Sequence, residues 1–175
     1  DAPSIYALPG MAERTIICDG FSKTYAMTGW RLGYGIMPEG LAERVELLLT
    51  HAVGCTASFT QVAGIAALTE PQDQVDAAVA EYQHRRDLLV AGLNDLPGMT
   101  CRLPQGAFYA FPNITGTGRG SDWLADYLLS EAGVAVLSGA SFGPNGEGYL
   151  RLCFANSLDN LKLALERMGA ALKKL

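Results

Sequence analysis

Long apolar runs are missing from this sequence. None approaches the roughly 20 residues that a bilayer-crossing helix needs, so no membrane span is expected. A basic excess is missing too: 13 Lys and Arg stand against 18 Asp and Glu, for a formal net charge of −5. That balance speaks against a nucleic-acid or polyanion surface. The four cysteines, Cys18, Cys55, Cys101 and Cys153, never fall in a CxxC pair, and the apolar or β-like setting of each predicts buried free thiols in a reducing cytosol. His51 and His84 are the two histidines, both in helical patterns without a second ligand at metal spacing, so no metal site is expected. The opening DAPSIYALPG has neither a basic n-region nor an apolar h-region and is not a signal peptide. There is no initiator methionine, and the chain runs from Asp1 almost directly into its busiest motif, which reads as a fragment or a processed form of something longer.

Enough apolar material is present for a sizeable core. Over 175 residues the chain is 49% hydrophobic and 18% charged, sufficient for one ordinary domain or two small ones. RTIICDGFSK predicts a short buried strand, Thr15 to Cys18, that breaks at Asp19-Gly20 into a loop presenting Lys23. WRLGYGIMP predicts a second strand closing at Pro38. Residues 39–54 place Leu41, Val45, Leu48 and Ala52 on one helical face. A second helix follows from Ser58, its expected N-cap, to near Pro71, and a longer one spans Gln72 to Leu96. Beyond it come a strand at Thr100 to Leu103, a β-like AFYAFP at 107–112 and an exposed glycine-rich loop, NITGTGRGS. Then follow a helix capped by Ser121, strands in GVAVLSG and YLRLCFA, and an amphipathic C-terminal helix. From about residue 72 the order α-β-β-α-β-β-α describes a self-contained α/β sandwich, while residues 1–71 read as the tail of a larger α/β unit.

One local absence carries the chemistry. Between Asp19 and Glu39 there is no acidic residue, yet DGFSKTYAMTGWRLGYG holds two cations, Lys23 and Arg31. Half-buried cations need an anion, and where the chain supplies none a ligand can. A lysine amine forms Schiff bases with carbonyls, and burial or a nearby cation favours its reactive neutral form. The planar fork of arginine suits a phosphate, and hydroxyls of Ser22, Thr24 or Thr28 could add donors. Residue types alone also allow two half-exposed cations on loops. In YLRLCFA, Arg151 is the single charge in a β-like apolar run. Alternation puts Tyr149, Arg151 and Cys153 on one face and Leu150, Leu152 and Phe154 on the other. A carboxylate ligand would satisfy that arginine; so would an Asp or Glu elsewhere in the chain.

FSKTYAMTGWRLGY resembles the lysine segment of fold type I pyridoxal-phosphate aminotransferases, class I/II, of the aspartate aminotransferase superfamily. PQGAFYAFP and GYLRLCFANSLDNL resemble two segments of the small domain of that family, so the likeness covers essentially the whole chain. It implies an α/β fold: residues 1–71 close the large, mostly parallel-sheet domain that binds pyridoxal 5'-phosphate, and residues 72–175 form the small C-terminal domain. It implies Lys23 as the Schiff-base lysine and proton shuttle, Arg31 and Ser22 as phosphate ligands, and Arg151 as the ligand of the substrate α-carboxylate. The substrates would be an amino acid and a 2-oxo acid, and the full-length protein a cytoplasmic homodimer.

The sequence departs from the family pattern in two places. Gly20 stands where many relatives carry a serine that donates to the phosphate. The family's acidic partner of the pyridine nitrogen, its tyrosine on the cofactor oxygen and its phosphate loop all precede the lysine segment, and residues 1–20 contain no match. Without the acid the cofactor is a poorer electron sink, so the chain alone is expected to be inactive. Two rivals stay open on sequence: a C–S lyase or synthase on the same fold, and an aminotransferase-like sensor domain of a transcription regulator.

Overall fold

The computed structural model describes residues 3–175. The chain divides into two compact units, Asp1–Asp76 and Ala77–Leu175, each with its own antiparallel sheet.

In the first unit, strands β1 (Ile17–Gly20) and β2 (Gly33–Ile36) form a two-stranded ribbon with Ile17 opposite Ile36 and Gly20 opposite Gly33. The first strand thus lies two residues later than Thr15–Cys18, and it is not buried. Cys18 and Asp19 are exposed, as is all of β2, because no third strand joins the ribbon among the described residues. The expected loop after β1 is a single helical turn, α1 (Phe21–Thr24), anchored by the buried Phe21. Helix α2 (Glu39–Ala52) buries no residue; Val45 on the predicted face is half-covered while Leu48 is exposed. Helix α3 (Ser58–Thr69) begins one residue earlier than predicted. Ser58 is its first helical residue and Ala57 occupies the cap position without a side-chain bond, so Ser58 is not the cap. Gly64 of α3 lies against Phe21 and Leu32, where even a methyl group would collide with the Leu32 side chain. The apolar side chains buried in this unit are Phe21 and Met27. Leu47, Leu48, Phe59, Val62 and Ile65 stay more than half exposed.

Helix α4 (Asp73–Asn94) leads into the second unit. The predicted strand at Thr100–Leu103 reduces to one bridge, Thr100 to Asn113. The Asn94 side chain has taken over the ladder there: its amide donates to Cys101 O at 3.0 Å and its Oδ1 accepts from Cys101 N at 2.8 Å. AFYAFP keeps only β3 (Tyr109–Ala110), since Pro112 has no N–H to extend the ladder. Within the glycine-rich loop Ile114 is fully buried. Helix α5 (Ser121–Ala132) starts at Ser121, with Gly120 in the cap position. The predicted cap is instead a buried anchor, its Oγ accepting from Gly148 N at 2.8 Å and Tyr149 N at 3.2 Å. Strands β4 (Leu137–Ser138) and β5 (Leu150–Cys153) complete a three-stranded sheet of order β3-β5-β4, and helix α6 (Leu158–Leu172) closes the chain. Leu89, Leu93, Leu124, Leu128, Leu150 and Phe154 centre the core of this unit. Along β5, Leu150 and Leu152 point inward while Arg151 and Cys153 face outward, as the alternation predicts.

The cysteine expectation fails in three of four places. Cys101 is buried, but Cys18, Cys55 and Cys153 are exposed, all four as free thiols. A β-like local pattern does not bury a side chain that lies on an exposed ribbon (Cys18) or on the open face of a sheet (Cys153). Among the described residues no helix is long and apolar enough to cross a membrane, and no cluster of His, Cys, Asp and Glu is spaced to hold a metal ion.

Candidate active site

The register that sets Gly20 opposite Gly33 closes the connection between β1 and β2 at its base, where Phe21 N donates to Leu32 O at 3.2 Å. Ser22, Lys23 and Arg31 all ride on that connection. Lys23 is exposed on α1, and Ser22 beside it is half-buried. Arg31 follows a 3-10 turn, Thr28–Trp30, and takes a left-handed conformation at φ 55°. A non-glycine residue held there costs on the order of 1 kcal/mol or more and persists where surrounding structure imposes it, commonly at ligand sites. One Arg31 guanidinium nitrogen donates to Thr28 O at 2.9 Å, which fastens the side chain without neutralising it. Among the described residues the ion pairs are Glu81–Arg85 and Arg86–Asp87, so neither Lys23 nor Arg31 has a carboxylate partner. The nearest acid in sequence, Asp19, turns to Gly20 N at 2.7 Å and accepts from the Tyr34 hydroxyl at 3.4 Å. Loss of solvent, and then the Asp19 charge, push the Tyr34 phenol above its usual range. Tyr34 sits edge-on to Phe21 on an exposed strand.

Arg151 lies in the second unit, half-buried on the outward face of β5. Its guanidinium carbon stands 4.5 Å from the centre of the Tyr109 ring and 4.4 Å from that of Phe142. No ion pair or side-chain hydrogen bond uses its N–H groups among the described residues. The Asp or Glu partner that the sequence left open is therefore absent among them.

The sequence profile of the family described as Aminotransferase class I and II matches residues 1–168. The chain belongs to this family. It is 42% identical to an aspartate aminotransferase of Pyrococcus horikoshii over 92% of this chain and 42% of that protein. It is 40% identical to aromatic-amino-acid aminotransferase 2 of Thermococcus litoralis over 98% of this chain and 44% of that one. The crystal structure of an aspartate aminotransferase from Rhizobium meliloti superposes with a TM-score of 0.91 at 39% identity, covering 96% of this chain and 44% of that chain. The chain thus spans less than half the length of these relatives. The α/β fold matches the corresponding portion of a class I/II aminotransferase.

Enzymes of this family depend on pyridoxal phosphate, and the first unit offers groups of the right kind. An exposed amine without an acid partner, an arginine fork anchored by one nitrogen and a nearby hydroxyl share one short connection. These groups suit an aldehyde and a phosphate. Phe142 and the left-handed Arg31 were not legible as site features in the sequence. SFGPNGEG reads only as a loop, and no local pattern announces a positive φ at an arginine.

Proposed function

We propose that this chain is the cofactor-lysine portion of a pyridoxal-phosphate-dependent aminotransferase that moves an amino group from an amino acid to a 2-oxo acid. The carrying observation is the shared connection of Ser22, Lys23 and Arg31, closed by the Gly20–Gly33 pair and free of acidic partners. In this reading residues 1–71 are the closing part of the large domain and residues 72–175 the small domain, a division five residues before that between the compact units Asp1–Asp76 and Ala77–Leu175. Lys23 would hold the cofactor through its aldehyde, and Arg31 would clamp its phosphate, with the Ser22 hydroxyl as a further donor. When bound, pyridoxal phosphate supplies the electron sink that makes the substrate Cα–H acidic. Lys23 Nζ would take the proton from the substrate Cα as general base and return a proton as general acid. Arg151 receives the substrate α-carboxylate in a bidentate pair and so orients the Cα–H bond. The full-length protein works as a homodimer in the cytoplasm, a reducing compartment that suits three exposed free thiols.

Reductive trapping tests the reading. Borohydride treatment of the full-length, cofactor-loaded protein is expected to fix the label on Lys23, read by peptide mapping. A label on Lys173 or Lys174 instead overturns the assignment.

A further inference from the structure

The setting of Arg151 raises a question that the carboxylate assignment leaves open. An arginine that must meet a planar carboxylate with two parallel N–H bonds needs its own plane held still. A second acid behind it could do this, but an acid would consume donors and cancel charge. No such acid is paired with Arg151 among the described residues. Two aromatic rings stand over the guanidinium instead, Tyr109 at 4.5 Å and Phe142 at 4.4 Å. A ring face attracts the cation through its quadrupole and uses no N–H, so the whole donor edge stays available. None of the guanidinium nitrogens is sealed from solvent without a partner, so that edge can be reached.

Of the two rings, Phe142 has no other evident task. Tyr109 belongs to β3 and packs on Phe108 at 4.6 Å, so its place is set by the sheet. Phe142 is 50% exposed and lies outside the core; its other aromatic neighbour is Phe111, edge-on at 6.1 Å. Leaving half of a phenyl ring in water contributes little to folding. The backbone nevertheless holds it firmly. Phe142 ends the turn Gly139–Phe142, and Gly143 behind it has φ 114°, a conformation open to glycine alone. At the other end Gly139 N donates to Tyr149 O at 2.8 Å, two residues before Arg151 on the same run of chain. Gly139 and Gly146 then pack backbone to backbone too closely for any side chain. The turn is therefore tied to the strand that presents the arginine.

The geometry points to Phe142 as a positioning residue: its ring face holds the Arg151 guanidinium plane for capture of the substrate α-carboxylate while leaving every N–H free. This rests on the reading of Arg151 as the carboxylate ligand. The test compares Phe142→Leu, Phe142→Tyr and Arg151→Ala in the full-length, cofactor-loaded protein, with KM, kcat and cofactor affinity measured for each. Leucine stays apolar but lacks a ring face. KM for the amino acid is expected to rise roughly two- to thirtyfold, the span of a cation–π contact. Cofactor affinity and kcat should stay within about twofold, and Phe142→Tyr should restore KM. If Phe142→Leu leaves KM unchanged while Arg151→Ala raises it, the positioning role is wrong and the carboxylate assignment stands. If Arg151→Ala itself leaves KM unchanged, the assignment beneath the inference fails. A Phe142→Leu enzyme that loses cofactor and kcat together, or one that tyrosine does not rescue, shows a structural role and overturns the inference.

Discussion

Replacing Ser121 by alanine removes one oxygen from the buried start of α5, and the structure allows the cost to be worked out. The Ser121 Oγ is fully buried and accepts from Gly148 N at 2.8 Å and from Tyr149 N at 3.2 Å. The two donors do not suffer equally. Tyr149 N also reaches Gly146 O at 3.2 Å, so it keeps a partner. Gly148 N has no other acceptor among the described residues, and a buried N–H left unpaired costs about 1–3 kcal/mol. Alanine leaves no cavity larger than the lost hydroxyl, so the expected destabilisation of Ala77–Leu175 is about 2 kcal/mol. For a unit of about this size that lowers Tm by roughly 8–16 °C. The chain has 2 tryptophans, Trp30 and Trp123, and Trp123 sits on α5 stacked on Tyr127 at 5.0 Å. A Trp30→Phe background therefore makes tryptophan fluorescence report the second unit alone. Ser130→Ala, whose exposed hydroxyl only donates to Tyr127 O, is the control and should change stability by less than about 0.5 kcal/mol. Should Ser121→Ala prove as mild as that control, the hydroxyl is not what ties the approach to β5 onto α5. Another contact then holds the Arg151 strand in place.

Three further outcomes are expected. Arg31→Ala removes a charge-assisted clamp on the phosphate, on the order of 1.5–3 kcal/mol; titration of the full-length protein should show cofactor affinity falling roughly ten- to a hundredfold. Residues 1–175 alone should fold chiefly through the second unit, where nearly all the buried apolar side chains lie. They should bind pyridoxal phosphate weakly and catalyse no measurable transamination; a spectrum of stoichiometric cofactor bound to Lys23 in this chain would sink that expectation. Burial pushes the Cys101 thiol above its ordinary value, more than a backbone hydrogen bond from Phe111 lowers it. The folded state therefore keeps the thiol proton more tightly than the unfolded state does. Stability from this site is intact below the ordinary thiol pKa and is lost as pH climbs past it toward the raised value. Denaturant midpoints across the alkaline range should fall less steeply in Cys101→Ala. At mildly alkaline pH a thiol reagent should modify Cys18, Cys55 and Cys153 well before Cys101.

Where a rule of chemistry acts between near neighbours, the sequence by itself determined the outcome. Alternation along YLRLCFA placed Arg151 outward and Leu150 and Leu152 inward, because successive side chains of a strand must point to opposite faces. Apolar spacing marks the helices found at 39–52 and 158–172, and the resemblance of FSKTYAMTGWRLGY to the lysine segment of class I/II aminotransferases points to the family. What only the tertiary structure decided depends on residues far apart in the chain. Thr100–Leu103 has strand-like residues, but the side chain of Asn94 takes the place of a partner strand. Cys18 and Cys153 look apolar locally, yet both side chains stay exposed. Arg31 takes a left-handed conformation within the connection that closes where Gly20 meets Gly33. The rings over Arg151 come from residues 109 and 142, which approach it only because β3 and the turn after β4 both tie to β5. A local pattern reports the conformation a segment prefers; which surface is covered, and by what, is settled by non-local packing.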